Sequence, residues 1–225
     1  MRIGRETIDS DHKRVIFSIG DISYGNLESK IRSGEIGQGR IYELRYDLFQ
    51  KRSGESLLRM LDLLNRGEIS YVFKYMGNDS DALSYTSLAA RNGAPCIDVD
   101  FSMMDDIDPE GATVISSIHL WETRPDEQMI LDMTSSDAQM VKVAVKYDSY
   151  DTFFQDLLLV FSVSEKSEKS ICFVPMGDQT KMMRIISLLT VSDMTYAGFD
   201  GETAPGQPTF NEIRSIMDIA GVAIS

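Results

Sequence analysis

The segment Met140-Val-Lys-Val-Ala-Val145 is an almost wholly apolar run with one charge, Lys142, in its middle. A short, valine-rich run of this kind predicts a β-strand. The lysine in it either extends its ammonium to solvent at the strand end or is buried. Burial of an unpaired ammonium favours the neutral amine, a nucleophile that attacks carbonyl carbons and forms a Schiff base. The segment alone leaves both interpretations open.

Strand and helix patterns alternate along the chain on both sides of this run. The other predicted strands are 13–19, 40–48, 69–75, 95–101, 112–119, 170–176 and 193–197. The predicted helices are 24–33, 56–65, 80–92, 126–134, 150–164, 181–189 and 211–220, with a short helical or irregular link at 103–109. Eight strand–helix units without a linker predict parallel strands closed into a (β/α)8 TIM barrel of the α/β class. An open doubly wound sheet is the alternative, but the glycine-rich first turn typical of that fold is missing.

The size and composition fit one domain. We expect residues 1–225 to form a single barrel, with the polar residues 1–12 as an N-terminal arm or cover. The net charge of −13 argues against nucleic acid and anionic membranes as partners. No apolar run approaches the roughly 20 residues of a membrane span, and the N-terminus lacks an apolar signal core, so we expect a cytoplasmic protein. Cys96 and Cys172 lie in apolar runs and are interpreted as reduced core thiols.

The sequence carries no recognisable cofactor motif. Two histidines and two scattered cysteines do not make a zinc cluster of a common type. Neither GxGxxG nor GxxxxGK[ST] occurs, so nucleotide binding has no support. We therefore expect neither a metal nor an organic cofactor.

Charged residues recur in the predicted strands, near the ends where barrel enzymes place their active sites. Helices cover the outside of a barrel, so these charges are expected to face its interior. They are Glu43, Arg45, Asp47, Lys74, Asp98, Asp100, His119 and Lys142, joined by Arg184 in the helix after strand seven. A rim of solvated charges is the simpler interpretation for any one of them, but charges from successive strands converge on one mouth.

A mouth of this composition suits a small anionic substrate, such as a carboxylate. We expect the basic neighbours of Lys142 to lower its pKa. Glu43 is expected to pair with Arg45 or Lys74. His119, one strand away from Lys142, is a candidate acid/base.

Five motifs, in order, resemble those of type I 3-dehydroquinate dehydratase of the shikimate pathway. They are Glu43-Leu-Arg-Tyr-Asp47, Ile115-Ser-Ser-Ile-His119, Val141-Lys-Val-Ala144, Met176-Gly177 followed by Arg184, and Thr203-Ala-Pro-Gly-Gln207. The resemblance covers nearly the whole chain. It implies that 3-dehydroquinate is dehydrated to 3-dehydroshikimate through a Schiff base, without a cofactor, and we also expect a homodimer.

The resemblance also implies residue roles. Lys142 would form the Schiff base, His119 would be the acid/base, and Glu43 would orient His119. Substrate binding would fall to Arg45, Lys74, Arg184, Thr203 and Gln207.

The chain departs from the family pattern in several places. Lys74 stands where arginine is common, Thr203 replaces a serine, and Asp100 stands where glutamate is frequent. A further family carboxylate falls near Asn78, with Asp79 adjacent, so the residue that takes this role stays open.

Two other functions remain possible at the level of sequence. One is a Schiff-base aldolase acting on a phosphorylated sugar, which would need a phosphate cradle after strands seven and eight. The sequence there is Met-Gly-Asp-Gln, and its acid is a poor neighbour for a phosphate. The other is a non-catalytic barrel that binds a ligand or a partner.

Overall fold

A computed structural model describes residues 1–224 of the chain. This range contains ten strands: β1 Arg2–Ile3, β2 Glu6–Thr7, β3 Arg14–Ile19, β4 Ile41–Arg45, β5 Ser70–Lys74, β6 Cys96–Asp100, β7 Thr113–Leu120, β8 Met140–Lys146, β9 Ser170–Met176 and β10 Met194–Gly198. Strands β3 to β10 are parallel and hydrogen-bonded in the order β10-β3-β4-β5-β6-β7-β8-β9. The two end strands, β9 and β10, also approach each other, so the sheet curls into a nearly closed barrel. The predicted (β/α)8 barrel is confirmed.

In the described part of the chain, seven helices cover the barrel: α1 Tyr24–Arg32, α2 Gly54–Arg66, α3 Ser80–Arg91, α4 Glu127–Ser135, α5 Tyr150–Ser164, α6 Lys181–Thr190 and α7 Phe210–Ala220. Most begin at a serine, threonine or aspartate whose side chain accepts a hydrogen bond from a backbone N–H of the first turn. This bond gives a partner to an N–H that has none within the helix. A 3-10 helix at Phe101–Asp106 follows β6 and takes the place of an α-helix there. This agrees with the irregular link predicted at 103–109.

One predicted strand is too long. The polar–apolar alternation of residues 40–48 predicts a continuous strand, but β4 ends at Arg45 and Tyr46–Leu48 form a 3-10 turn. The fully buried Tyr46 fixes this turn, because its hydroxyl donates to the Ser53 carbonyl and accepts from the Ser53 N–H. Tertiary contacts of Tyr46 therefore override a local pattern that fits a strand.

The amino end of the barrel is closed by a short hairpin. The antiparallel pair β1–β2 lies within the segment for which we expect an arm or cover. Ile3 and Ile8 are fully buried and pack with the apolar residues that line the lower barrel. The backbone N–H of Arg5 donates to Ser70 Oγ at the start of β5. The hairpin thus adds apolar burial at the end of the barrel opposite to the strand carboxyl ends.

The side chains inside the barrel follow the two-residue period of its strands. Neighbouring strands pair inward positions with inward positions, for example Ser18 with Glu43 and Ser117 with Lys142. Cys96 and Cys172 are buried and unbridged, as expected for core thiols. Among residues 1–224, no helix has the length and apolar character needed to cross a membrane.

Candidate active site at the carboxyl end of the barrel

A cavity of about 210 Å³ opens at the carboxyl ends of the strands. Eight of its lining residues are those that the sequence nominates: Glu43, Arg45, Lys74, His119, Lys142, Arg184, Thr203 and Gln207. They come from β4, β5, β7, β8, α6 and the loop after β10. Parallel strands in a closed barrel end at the same face, so residues up to 164 positions apart in the chain meet around one space.

A buried carboxylate, that of Asp98, joins two lysines that line the cavity. Lys142 Nζ donates to Asp98 Oδ2 at 2.6 Å, and Lys74 Nζ donates to Asp98 Oδ1 at 2.6 Å. The hydroxyl of Ser117 donates to the same Oδ1 at 2.6 Å and accepts from Lys74 at 2.9 Å. Both lysines are buried, so neither extends its ammonium to solvent. Each buried charge is paired, which makes its burial tolerable.

The electrostatics of Lys142 differ from the sequence expectation. Burial lowers the pKa of Lys142, but the carboxylates of Asp98 and Glu43 outweigh it, and the net direction is upward. The expectation that basic neighbours lower the pKa of Lys142 is therefore wrong for the site without a ligand. The pKa of Lys74 is lowered instead, by complete burial and by the charge of Lys142. The two lysines hold the pKa of Asp98 well below its usual range, although burial opposes this.

The ion pairs of the second strand also differ from the expectation. Glu43 accepts a hydrogen bond from Ser18 Oγ at 2.9 Å, and its Oε1 lies 3.7 Å from Lys142 Nζ. It pairs with neither Arg45 nor Lys74 in the described structure. Arg45 instead donates two hydrogen bonds to Asp47, at 2.9 and 2.8 Å, just beyond the strand end. Because β4 turns after Arg45, Asp47 reaches back to the guanidinium and leaves Glu43 facing the lysine.

His119 is held as a neutral imidazole. Burial and the neighbouring charges of Lys74 and Lys142 hold its pKa well below its usual range. Within residues 1–224 its ring makes no hydrogen bond, so no carboxylate orients it in this state. Trp121, two residues further on, lines the same cavity and is more than half exposed. A neutral imidazole next to a lysine can accept a proton from a bound ligand.

The loop after β10 closes one side of the cavity. Gln207 Oε1 accepts hydrogen bonds from the backbone N–H of Thr203 at 2.9 Å and its hydroxyl at 3.0 Å. Gly206 has a φ of +69°, and a Cβ there would lie 1.9 Å from the carbonyl oxygen of Gly177, so only glycine fits. The loop is therefore packed directly onto the segment that follows β9.

Arg184 offers an unused donor beside this loop. Its Nη2 donates to the Pro205 carbonyl at 3.4 Å, whereas its buried Nε has no partner in the described chain. Burial lowers the pKa of Arg184 to about 10, so it remains a cation at neutral pH. A buried guanidinium with a free N–H suits a carboxylate ligand.

Asp79 lies apart from the site. It is exposed and caps α3, because its Oδ1 accepts from the backbone N–H of Ala82 at 2.9 Å. The neighbouring Asn78 is exposed as well. In this structure, neither residue supplies the carboxylate that the family pattern places after the third barrel strand.

Several residues in or next to the cavity were given no role from the sequence. Asp98 is the most important, since it joins both lysines; the sequence placed it among the charges of the mouth but assigned it no role. Ser18 had a signal, as a polar residue in the inward phase of a buried strand. Tyr196 had no such signal, because an aromatic residue in a strand is ordinary core; its ring centroid lies 4.7 Å from Lys142 Nζ.

Comparison with known proteins identifies the family. Residues 27–224 match the family model for type I 3-dehydroquinase. The chain belongs to the type I 3-dehydroquinase family. The 3-dehydroquinate dehydratase of Thermoplasma volcanium is 31% identical over 98% of this chain and 96% of its own length. That of Thermoplasma acidophilum is 29% identical over 92% of this chain and 90% of its own length.

Solved structures support the fold independently. The 3-dehydroquinate dehydratase of Geobacillus kaustophilus superposes with a TM-score of 0.81 at 18% identity, over 98% of this chain and 96% of that one. A Clostridium difficile type I enzyme, determined with covalently modified comenic acid, gives 0.82 at 17% identity over the same shares. Family membership and the relatives together make the chain a hydro-lyase that dehydrates 3-dehydroquinate.

Proposed function

We propose that the dehydration of 3-dehydroquinate to 3-dehydroshikimate proceeds through a Schiff base on Lys142. The amine would add to the ring ketone and expel water, giving a protonated imine. This imine withdraws electrons and acidifies the adjacent C–H bond. The observation that carries the proposal is the position of Lys142 Nζ, buried at the cavity floor between Asp98 at 2.6 Å and Glu43 at 3.7 Å.

His119 is the base and acid of this route. Its neutral imidazole would take the proton next to the imine and then deliver a proton to the departing hydroxyl, which leaves as water. Hydrolysis of the product imine would restore the free lysine. In the resting structure Glu43 contacts Ser18 and Lys142, so we propose that it orients Lys142 as well as tuning His119.

The substrate would be held at the opposite side of the cavity. Arg184 would bind the carboxylate through its free Nε, with Gln207 and Thr203 contacting it and the ring hydroxyls. Arg45 and Lys74 would contribute positive charge and hydrogen bonds to hydroxyls. Concentrated positive charge allows an anion to enter a protein whose net charge is −13.

Borohydride trapping tests the covalent step. Reduction in the presence of 3-dehydroquinate should give one adduct per chain, and peptide mapping should place it on Lys142. Lys142→Ala should abolish trapping while ligand binding persists. Lys146→Ala is the matched control, since this lysine is exposed four residues further along the same strand. An adduct at another residue, or none with the wild-type protein, would rule the proposal out.

We also propose that the protein acts as a homodimer in the cytoplasm. The outer face of α5 presents Tyr150, Phe154, Leu158 and Phe161, which share one side of the helix and are exposed. A row of exposed apolar side chains of this size is typical of an interface. Two buried free cysteines are consistent with a reducing compartment.

The oligomeric state can be tested by light scattering after gel filtration. Leu158, 70% exposed on α5, should be needed for association, so Leu158→Glu should convert the dimer to the monomer mass. Ile219→Glu is the control, because Ile219 is 87% exposed but lies on α7. A wild-type monomer at micromolar concentration would contradict the dimer, and dissociation by the control alone would place the interface elsewhere.

A further inference from the structure

Two buried lysines share one carboxylate in this site. Lys74 and Lys142 each donate to a different oxygen of Asp98, both at 2.6 Å. Lys74 is 1% exposed and also donates to Ser117, so two of its three N–H donors are already used inside the protein. A side chain held in this way has little freedom to follow a substrate. Its main interaction is with the group that also binds the nucleophile.

We infer that Lys74 is a positioning residue that occupies one oxygen of Asp98 and so limits how strongly this carboxylate holds Lys142 in its ammonium form. The inference rests on the proposed role of Lys142. Lys142 must lose a proton before its amine can attack a ketone. A carboxylate that faces only one lysine stabilises the ammonium fully, whereas one shared with a second cation stabilises it less.

The charges around Lys142 can be counted element by element. The groups that face it are Glu43 from β4, Lys74 from β5, Asp98 from β6, His119 from β7, Cys172 from β9 and the ring of Tyr196 from β10. His119 and Cys172 are neutral, since burial raises the pKa of Cys172 to about 12. Two carboxylates therefore face two lysines, and both lysines donate to Asp98. Without the charge of Lys74, two carboxylates would act on Lys142 alone.

The same cation acts on His119. After burial, the charge of Lys74 is the largest influence that lowers the pKa of His119, ahead of Lys142, while Asp98 opposes it and Arg45 adds to it. The charge of Lys142 lowers the pKa of Lys74. Because repulsion between two cations is mutual, a protonated Lys74 also favours the neutral form of Lys142. Loss of the Lys74 charge should thus raise the pKa of both the nucleophile and the base.

The pH dependence of the reaction separates this role from a substrate contact. Lys142 and His119 both react in their neutral forms, so each gives a limb on which kcat/KM rises with pH. In Lys74→Met, both rising limbs should move to higher pH by about one unit or more. The rate of borohydride trapping at pH 7 should fall about tenfold, because each unit of pKa reduces the neutral amine tenfold. A residue that only binds substrate would raise KM and leave both limbs in place.

Two matched variants complete the test. Lys74→Arg keeps the charge next to Asp98, so its limbs should stay within a few tenths of a unit of the wild type. Ser117→Ala removes hydrogen bonds to Lys74 and Asp98 without changing any charge, and its limbs should also stay in place. Limbs that move equally in Lys74→Met and Ser117→Ala would overturn the inference in favour of a packing role.

Nuclear magnetic resonance provides a measurement without turnover. The chain has two histidines, so the imidazole signals of His119 and His12 are assigned with one variant, His12→Gln. His119 should protonate at a higher pH in Lys74→Met than in the wild type. If circular dichroism shows that Lys74→Met is unfolded, Lys74→Gln replaces it, since it removes the charge and keeps a donor.

Mapping of the trapped adduct separates failure of the inference from failure of the proposed mechanism. An adduct on Lys142 in every variant, with unmoved limbs in Lys74→Met, overturns only the role of Lys74. An adduct on Lys74 in the wild type overturns both, because Lys74 would then be the nucleophile.

Discussion

The interior of the barrel has two halves that are equally buried and chemically opposite. In strands β3 to β8 the inward side chains at the amino end are apolar, and two positions further along the same strands they are polar. The successive pairs are Ile16 and Ser18, Ile41 and Glu43, Val72 and Lys74, Cys96 and Asp98, Ile115 and Ser117, and Met140 and Lys142. One pleat of each strand, about 7 Å, separates the two compositions.

This difference shows that the strands of the barrel carry buried carboxylates and lysines where these charges pair with one another. The lower half, at the amino ends of the strands, is stabilised by apolar burial, and Ile3 and Ile8 of the hairpin extend this apolar region. In the upper half, at the carboxyl ends of the strands, charged side chains form ion pairs such as Lys142 with Asp98 and Arg45 with Asp47. The proposed active site belongs to the upper half, because the side chains there border the cavity. Substitutions should therefore separate stability from activity according to the half they touch.

The largest expected effect is a loss of activity on substitution of His119 in the upper half. His119→Ala should reduce kcat/KM by about 10²–10⁴-fold, because it removes the proposed proton acceptor. The midpoint of thermal unfolding should hardly change, since the ring makes no hydrogen bond among residues 1–224. His12→Ala is the control, because His12 is exposed and pairs with Asp9 far from the cavity. Equal losses in both variants would contradict the proposed role.

Asp98→Asn tests the paired charges of the upper half directly. It removes the anion that two buried lysines share, and breaking a buried ion pair in this way should cost about 4 kcal/mol in the free energy of unfolding. Urea titration gives this value, and activity should fall with it. Asp100→Asn is the matched control: it is two residues along β6 and partly exposed, and it should cost less than about 0.5 kcal/mol, since asparagine also caps. Equal costs for the two would remove the distinction between paired and solvated carboxylates.

Ile8→Ala tests the lower half. Loss of this fully buried side chain should cost about 3 kcal/mol of stability by creating a cavity, with kcat/KM within about twofold of the wild type. Ile8→Val should cost about 1 kcal/mol. Stability is measured in urea and activity by the absorbance of the enone product. A loss of kcat/KM that exceeds the unfolded fraction would show that the two halves are coupled.

The smallest expected effect is a pH dependence of stability. The pKa of His119 in the folded chain lies well below the value of about 6.5 in the unfolded chain. Its contribution to stability is complete above pH 6.5 and is lost as the pH falls, because the unfolded state binds the proton first. The slope should reach up to about 1.4 kcal/mol per pH unit below pH 6.5 and should disappear in His119→Gln. An unchanged slope in that variant would place the titrating group elsewhere.

Local patterns in the sequence determined the barrel and the membership of the site. Alternating strand and helix periods required a parallel sheet, and charges in the inward phase of its strands required a polar mouth. This explains why the five strand residues Glu43, Arg45, Lys74, His119 and Lys142 line one cavity, whereas Thr203 and Gln207 were nominated through the family resemblance. The period of two residues along a strand is a property of its backbone, so it can be read without knowing any neighbour.

Only the tertiary structure decided which charges pair. The sequence expectation joined Glu43 to Arg45 or Lys74, but Glu43 faces Lys142, and Asp98 takes both lysines. It also reversed the direction in which the pKa of Lys142 moves. The register between strands and the turn after β4 set these distances, and electrostatic interactions depend on distance and burial rather than on position in the chain.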